Sequence, residues 1–218
     1  MTESPQVVIR SRRGPAAAKQ DFSFSKDLLR LEGLSDFIKT YRSGAWEAFQ
    51  KTPIPTAQDE AWRRTDLHAF TPNSVRLPEA GAYTQLPAYP KTLLRPLTAD
   101  EHGGQVLLLA GGSQIHLDAQ LAVKGVVFTD LLTAEKEYPE LLARIMGKII
   151  RPDEGKFAGL AGALAQNGIL LYVPRGVEVE QPLQSLLWGP GANLAHLSHV
   201  MVVLEEGASA TYVHEAAS

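Results

Sequence analysis

Two seven-residue stretches constrain this chain more than anything else in it. Val173-Pro174-Arg175-Gly176-Val177-Glu178-Val179 and Leu204-Glu205-Glu206-Gly207-Ala208-Ser209-Ala210 align without a gap. Each runs from an apolar residue through turn residues to a glycine and then into alternation, and the two glycines stand 31 positions apart. Strand–glycine turn–strand units repeating at this scale form a solenoid pattern, and a parallel β-helix stacks such coils. No coil buries its inner face alone, so neighbours are needed above and below. An antiparallel sandwich with similar turns is the alternative.

The repeat sits in a β-rich final third. From Ile169 onward short runs follow one another between small turns: Ile169–Val173, Val177–Val179, Leu183–Trp188, Leu197–Leu204 and Ala210–His214. Upstream the period is different. Phe37, Ile38, Tyr41, Ala45, Trp46 and Phe49 recur at three- and four-residue steps, which predicts a helix with one apolar face. Ser35 is its N-cap and Pro53 and Pro55 end it. Residues 71–100 are proline-rich and read as an extended surface segment. Gln105 to Asp118 reads as a hairpin about Gly111-Gly112, and Gly125–Phe128 as a further strand. Two helical stripes follow, Leu141 to Ile150 and Phe157 to Leu164, the second ended by Gly168.

The chain has 218 residues, enough to bury a core, with 44% apolar and 21% charged residues. A net charge of −3 supplies no general basic field, so nucleic acid is not an expected partner. No cysteine occurs, so disulfides are excluded and thiolate ligands for iron–sulfur or zinc would have to come from elsewhere. Ser11-Arg12-Arg13 lacks the apolar core of an export signal after it, and no apolar run nears the roughly 20 residues of a spanning helix. The expectation is a cytoplasmic protein with no membrane partner.

Catalytic patterns are missing where their chemistry would require them. The Gly-Lys pairs Gly147-Lys148 and Gly155-Lys156 lack both the upstream glycine and the following Ser or Thr of a phosphate loop. No nucleophile elbow G-x-S-x-G is present. The adjacent acids Asp100-Glu101, Asp153-Glu154 and Glu205-Glu206 have the character of solvated turns. Six histidines occur, at 68, 102, 116, 196, 199 and 214. His196 and His199 lie three apart on an expected strand and so face opposite ways, as do the neighbours His214 and Glu215. No catalytic, cofactor-binding or metal residue is therefore assigned. Trp62 and Leu67 are expected to anchor a polar loop on the first helix, with Arg63 or Arg64 paired to Asp59, Glu60 or Asp66.

The block Asp59-Glu60-Ala61-Trp62-Arg63-Arg64-Thr65-Asp66-Leu67, after an aromatic helix and Pro-x-Pro, resembles the N-terminal signature of the SufB/SufD family of iron–sulfur cluster assembly proteins. Its tryptophan favours the SufD branch. Phe157-Ala158-Gly159-Leu160, the run Gly168 to Val177, Pro182-Leu183 and Val202 to Ala208 resemble the core shared by both branches. The resemblance covers about residues 25–218.

This resemblance implies an α+β chain: a flexible tail over 1–24, a mostly helical N-terminal domain with a small β-hairpin over 25–155, and from 156 to 218 the first coils of a right-handed parallel β-helix, truncated. It implies a non-catalytic scaffold that pairs with a SufB-like subunit and binds a SufC-like ATPase, which agrees with the missing phosphate loop. An iron–sulfur cluster would belong only to the full complex, and no cofactor to this stretch. The family's interface and cluster residues would lie beyond Ser218. Two other readings stand beside it, a β-helical carbohydrate-active enzyme and a His/carboxylate metal-binding module. A last coil with unpaired backbone groups further predicts self-association through the edge near Ala210–Glu215, or capping of that edge by the tail.

Overall fold

A computed structural model describes residues 21–65, 67, 69–95 and 102–218. Most of the expected N-terminal tail, together with Asp66, His68 and Asp100-Glu101, lies outside the described residues.

The first helix, α1 (Asp36–Lys51), starts where the sequence places it. Ser35 Oγ accepts from the Ile38 amide at 3.4 Å, and the chain leaves the helix at Thr52, one residue before Pro53. Its buried face consists of Ile38, Ala45, Trp46 and Phe49, and includes Arg42. It lies against α5 (Lys156–Leu164), which offers glycine at the crossing. A Cβ at Gly159 would stand 2.8 Å from the Phe49 nitrogen, and one at Gly162 would stand 3.0 Å from the Ala45 Cβ. A larger residue at either position would force the helices apart.

Two cations are buried in this helical layer and both are matched. Arg42 Nη2 and Nε donate to Glu135 Oε1 at 2.5 and 3.2 Å, while Nη1 and Nη2 also reach the carbonyls of Ala163 and Ala165. Burial pushes the Glu135 carboxyl above the usual range, and Arg42 draws it partly back. Lys156 Nζ donates to Asp21 at 2.6 Å and to the Phe49 carbonyl at 2.9 Å, and lies 4.0 Å over the Phe49 ring. Phe22 beside it meets Phe24, Phe49, Phe70 and Phe157.

The strands form two sheets. One has the order β2 (Gly112–Leu117), β1 (Gly104–Leu109), β5 (Glu178–Trp188), β7 (Ser209–Ala217). The other has the order β3 (Val127–Asp130), β4 (Asn167–Val173), β6 (Ser198–Leu204). Between them lies the main core, including Val106, Leu108, Phe128, Ile169, Leu171, Val173, Val179 and Leu183. Each fully buried large aliphatic there contributes about 1.5–3 kcal/mol. The outer face of the three-stranded sheet, through Leu170 and Met201, packs on Ile38 of α1, on Leu131 and Ala134 of α3 (Leu131–Glu137) and on Leu142 of α4 (Pro139–Ile145). The outer face of the other sheet, through Leu107, Leu109 and Leu186, lies under Tyr83, Tyr89, Leu93 and Leu94.

The 31-residue repeat is realised, but not as a coil. Val173 pairs with Leu204 and Glu178 with Ser209, both in parallel register, and the Gly176 amide bonds the Glu206 carbonyl. The expected right-handed parallel β-helix is not formed. Both sheets are mixed, because β1 runs antiparallel to β2 and β3 antiparallel to β4, and neither sheet closes or winds into a solenoid. The reason is local: a tight hairpin at Gly111 (φ +75°) and a short β3 return the chain beside its own strands. The antiparallel sandwich alternative is corrected as well, since β5/β7 and β4/β6 are parallel.

Two helix ends also differ from expectation. Gly168 is not a helix terminator but part of β4, where a Cβ would lie 2.2 Å from the His199 carbonyl oxygen. The stripe from Leu141 ends early, because Gly147 turns left-handed (φ +69°), and Ile149 and Ile150 stand 88% and 61% exposed.

Candidate functional site

Among the described residues, β6 and β7 are the outermost strands at one end of the sandwich. On β6, Val200, Val202 and Leu204 sit directly opposite Ile169, Leu171 and Val173 of β4 and therefore share their inward face. The β4 residues are fully buried, whereas their β6 partners are 38–42% exposed. On β7, Ala210, Tyr212 and His214 stand beside Val179, Leu183 and Ser185 of β5, again on the inward face. Among the described residues, β6 and β7 each pair on one side only. Their outer amides and carbonyls are a template for another strand. β6 carries no charge, lysine or proline of the kind that blunts such an edge.

A polar cluster lies just inside this end. The Ser185 hydroxyl is 2.5 Å from Tyr212 OH and 2.7 Å from His214 Nδ1. Burial pushes the Tyr212 phenol up, with the Ser185 bond acting the other way, and holds His214 below the usual histidine range. At neutral pH all three groups are uncharged and share protons. Ser185 is fully buried, so a substrate has no approach to it as a nucleophile, and the cluster acts as a fastening between β5 and β7.

A second polar row crosses the opposite face of the same sheet. Gln105 Nε2 donates to the Leu94 carbonyl at 2.7 Å and to Gln184 Oε1 at 2.5 Å, and Gln184 Nε2 donates in turn to the Glu215 carboxylate. A one-residue slip of β7 would break both fastenings, so together they fix the register of the last strand.

The structure disperses the residues that sequence reasoning considered. His199 lies beside Tyr41, while His196 packs on Gly189. Burial lowers both pKa values, Arg42 adding to the effect at His199. Glu205 and Glu206 pair with Arg144 and Arg175, and Asp153 pairs with Arg151. Trp62 is an anchor, its ring packing on Phe157 of α5 at 5.1 Å, and Arg63 pairs with Glu60. Among the described residues no group of three or more His, Cys, Asp or Glu is arranged to hold a metal. No helix of the described residues is long and apolar enough to cross a membrane.

Three features escaped the sequence reading: Arg42 with Glu135, Lys156 with Asp21, and the Ser185 cluster. Only the first left a signal. Arg42 falls four residues after Ile38 and four before Trp46, on the apolar stripe, where a guanidinium requires a buried partner.

Part of the chain is similar to known proteins. A model of the SufBD protein N-terminal region matches residues 112–185, which run from β2 into β5. Iron-sulfur cluster assembly protein SufD of Bacillus subtilis is 38% identical over 102 residues, 46% of this chain and 23% of that protein. SufB of the same organism is 34% identical over 98 residues, 45% of this chain and 21% of that protein. An iron-sulfur cluster assembly SufBD family protein of Staphylococcus haemolyticus is 30% identical over 98 residues, with the same two shares. The matched stretch thus spans less than a quarter of each of these relatives.

Proposed function

We propose that this chain, which carries the SufBD N-terminal region and belongs to the SufB/SufD family, works as a non-catalytic scaffold subunit in iron–sulfur cluster assembly, on the SufD side of the family. The observation that carries the reading is the match over residues 112–185, together with the higher identity to SufD than to SufB of one organism. The open sandwich end supports it physically. A scaffold needs surfaces for other polypeptide segments, and two unpaired strand edges beside exposed Val200, Val202 and Leu204 suit strand addition, where backbone bonds supply affinity and side-chain pockets supply specificity. The partners in this proposal are a SufB-like subunit and a SufC-like ATPase, in the cytoplasm. No observation favours the carbohydrate-active alternative.

The test is co-expression of the protein at its full natural length with SufB-like and SufC-like subunits from one genome, followed by its affinity isolation. The expected result is recovery of both partners, and loss of recovery in Val202→Lys, which places a charge on the open edge. Recovery of neither partner overturns the scaffold reading. Recovery unaffected by Val202→Lys retains the scaffold and removes the open end from its interface.

A further inference from the structure

We propose that the groove between α1 and α5 is a docking site for an acidic-aromatic peptide segment, and that the strap of residues 21–24 fills it as an exchangeable occupant. This goes beyond the scaffold role and does not rest on it. The floor of the groove is Phe49 of α1, only 1% exposed, together with Phe157 of α5. Phe70 stands beside them, its ring centroid 6.2 Å from that of Phe157. Lys156 closes one end. Its side chain is 1% exposed, its ammonium donates to the Phe49 carbonyl at 2.9 Å, and it lies 4.0 Å over the Phe49 ring.

The strap shows which chemistry fits. The Asp21 carboxylate accepts from Lys156 Nζ at 2.6 Å. Phe22, the next residue, sets its ring 5.9 Å from Phe49, 5.7 Å from Phe70 and 6.2 Å from Phe157. Phe24 then stacks on Phe22 at 5.5 Å. A segment that fills the groove therefore runs carboxylate, aromatic, any residue, aromatic. A buried ammonium left with a carbonyl alone is costly, so the groove favours a carboxylate over a neutral side chain and rejects a basic one.

The attachments of the strap make it replaceable. Among the described residues, residues 21–24 form no backbone–backbone hydrogen bond with another segment. They are held by the Lys156 bridge, by ring contacts, and by Ser23 Oγ donating to the Asn73 carbonyl at 3.2 Å. The Phe22 amide turns back onto the Asp21 carboxylate at 2.7 Å. The Asp21 side chain is 53% exposed, so water reaches the bridge and weakens it. The walls are different. α1 and α5 meet closely at Gly159 and Gly162, and that packing does not involve the strap. Lifting residues 21–24 leaves a formed groove with a buried cation, and a second segment with the same groups competes for the same contacts.

The experiment is fluorescence anisotropy at neutral pH, with an acetylated, dye-labelled synthetic peptide copying residues 21–29. It is titrated with the whole chain, with the triple variant Asp21→Ala/Phe22→Ala/Phe24→Ala, and with Asp21→Asn. Saturable binding is expected to the triple variant, with the unaltered chain at least about tenfold weaker because its own strap competes, and Asp21→Asn between them. A peptide carrying Asp21→Asn is expected to bind the triple variant at least about tenfold more weakly. Asp21 is half exposed, so the chain variant Asp21→Asn keeps the fold and decides the matter alone if the triple variant does not fold. No saturable binding to the variants, equal binding by the variants and the unaltered chain, or undiminished binding of the Asp21→Asn peptide overturns the proposal.

Discussion

The two ends of the sandwich are made from similar strands and finished differently. At the β2/β3 end, Ser113 Oγ bonds Asp130 Oδ2 at 2.5 Å, and α2 (Ala119–Val123), which links β2 to β3, puts Leu121 into the core beside Gly103. Asp130 also caps α3 by accepting from the Thr133 amide. One inward apolar residue there, Ile115, is 42% exposed. At the β6/β7 end three consecutive inward positions are exposed, and no described side-chain hydrogen bond joins β6 to β7. The lesson is that strand pairing alone does not seal a sandwich; side chains must also join the last strands of its two sheets. The first end has a stitched polar pair, and the second has none among the described residues.

The largest predicted contrast lies within one register pair. Leu171→Ala removes a fully buried side chain and should cost about 2–5 kcal/mol. Val202→Ala, directly opposite on β6, should cost well under about 1 kcal/mol in the chain alone, since its side chain is 42% exposed. Urea unfolding of both variants decides it, and equal losses would mean the end is not open. Gly168→Ala comes next, at about 1–3 kcal/mol, because its Cβ meets the His199 carbonyl. Hydrogen exchange should show β6 amides loosened ahead of those in β1 and β2. Ser113→Ala should cost about 1 kcal/mol and loosen only the sealed end, read as faster exchange in β2 and β3.

Acid should also act unevenly. His102, His196, His199 and His214 all have pKa values lowered by burial from the ordinary 6.5. The unfolded chain therefore binds protons more readily, so the stability these groups confer is present above about pH 6.5 and is lost as pH falls through their lower folded values. Three of the four lie on or beside the β6/β7 strands, so unfolding midpoints measured from pH 8 to 5 should fall, with β6 and β7 exchanging first. A flat profile would contradict this placement.

The legible parts of the fold were those set by local chemistry. Ser35, Gly111-Gly112 and the three-and-four spacing of Ile38, Ala45, Trp46 and Phe49 gave the first helix and hairpin directly. The 31-residue spacing of Gly176 and Gly207 identified strands that do pair in parallel. It could not reveal that β2 and β3 would lie antiparallel beside them, because a repeat describes its own copies and not the strands recruited from outside it. Val177–Val179 and Leu183–Trp188 looked like two strands and are one, β5, whose pairing with β7 shifts register between Val179 and Leu183. Ile149 and Ile150 fitted the stripe of α4, but the left-handed Gly147 outweighed periodicity. At the candidate site the exposure of Val202 was invisible, since Val200, Val202 and Leu204 read as core in any strand. The Ser185 cluster joins residues 27 and 29 positions apart, and nothing short of strand register brings them together.

The most direct test of the difference between the two ends is amide hydrogen exchange, comparing the chain alone with the chain in its assembly with SufB-like and SufC-like partners. The account predicts new protection in β6 and β7, Ser198–Leu204 and Ser209–Ala217, with β2 and β3 unchanged. Protection appearing in β2 and β3 instead, or no new protection at β6 and β7, would contradict it.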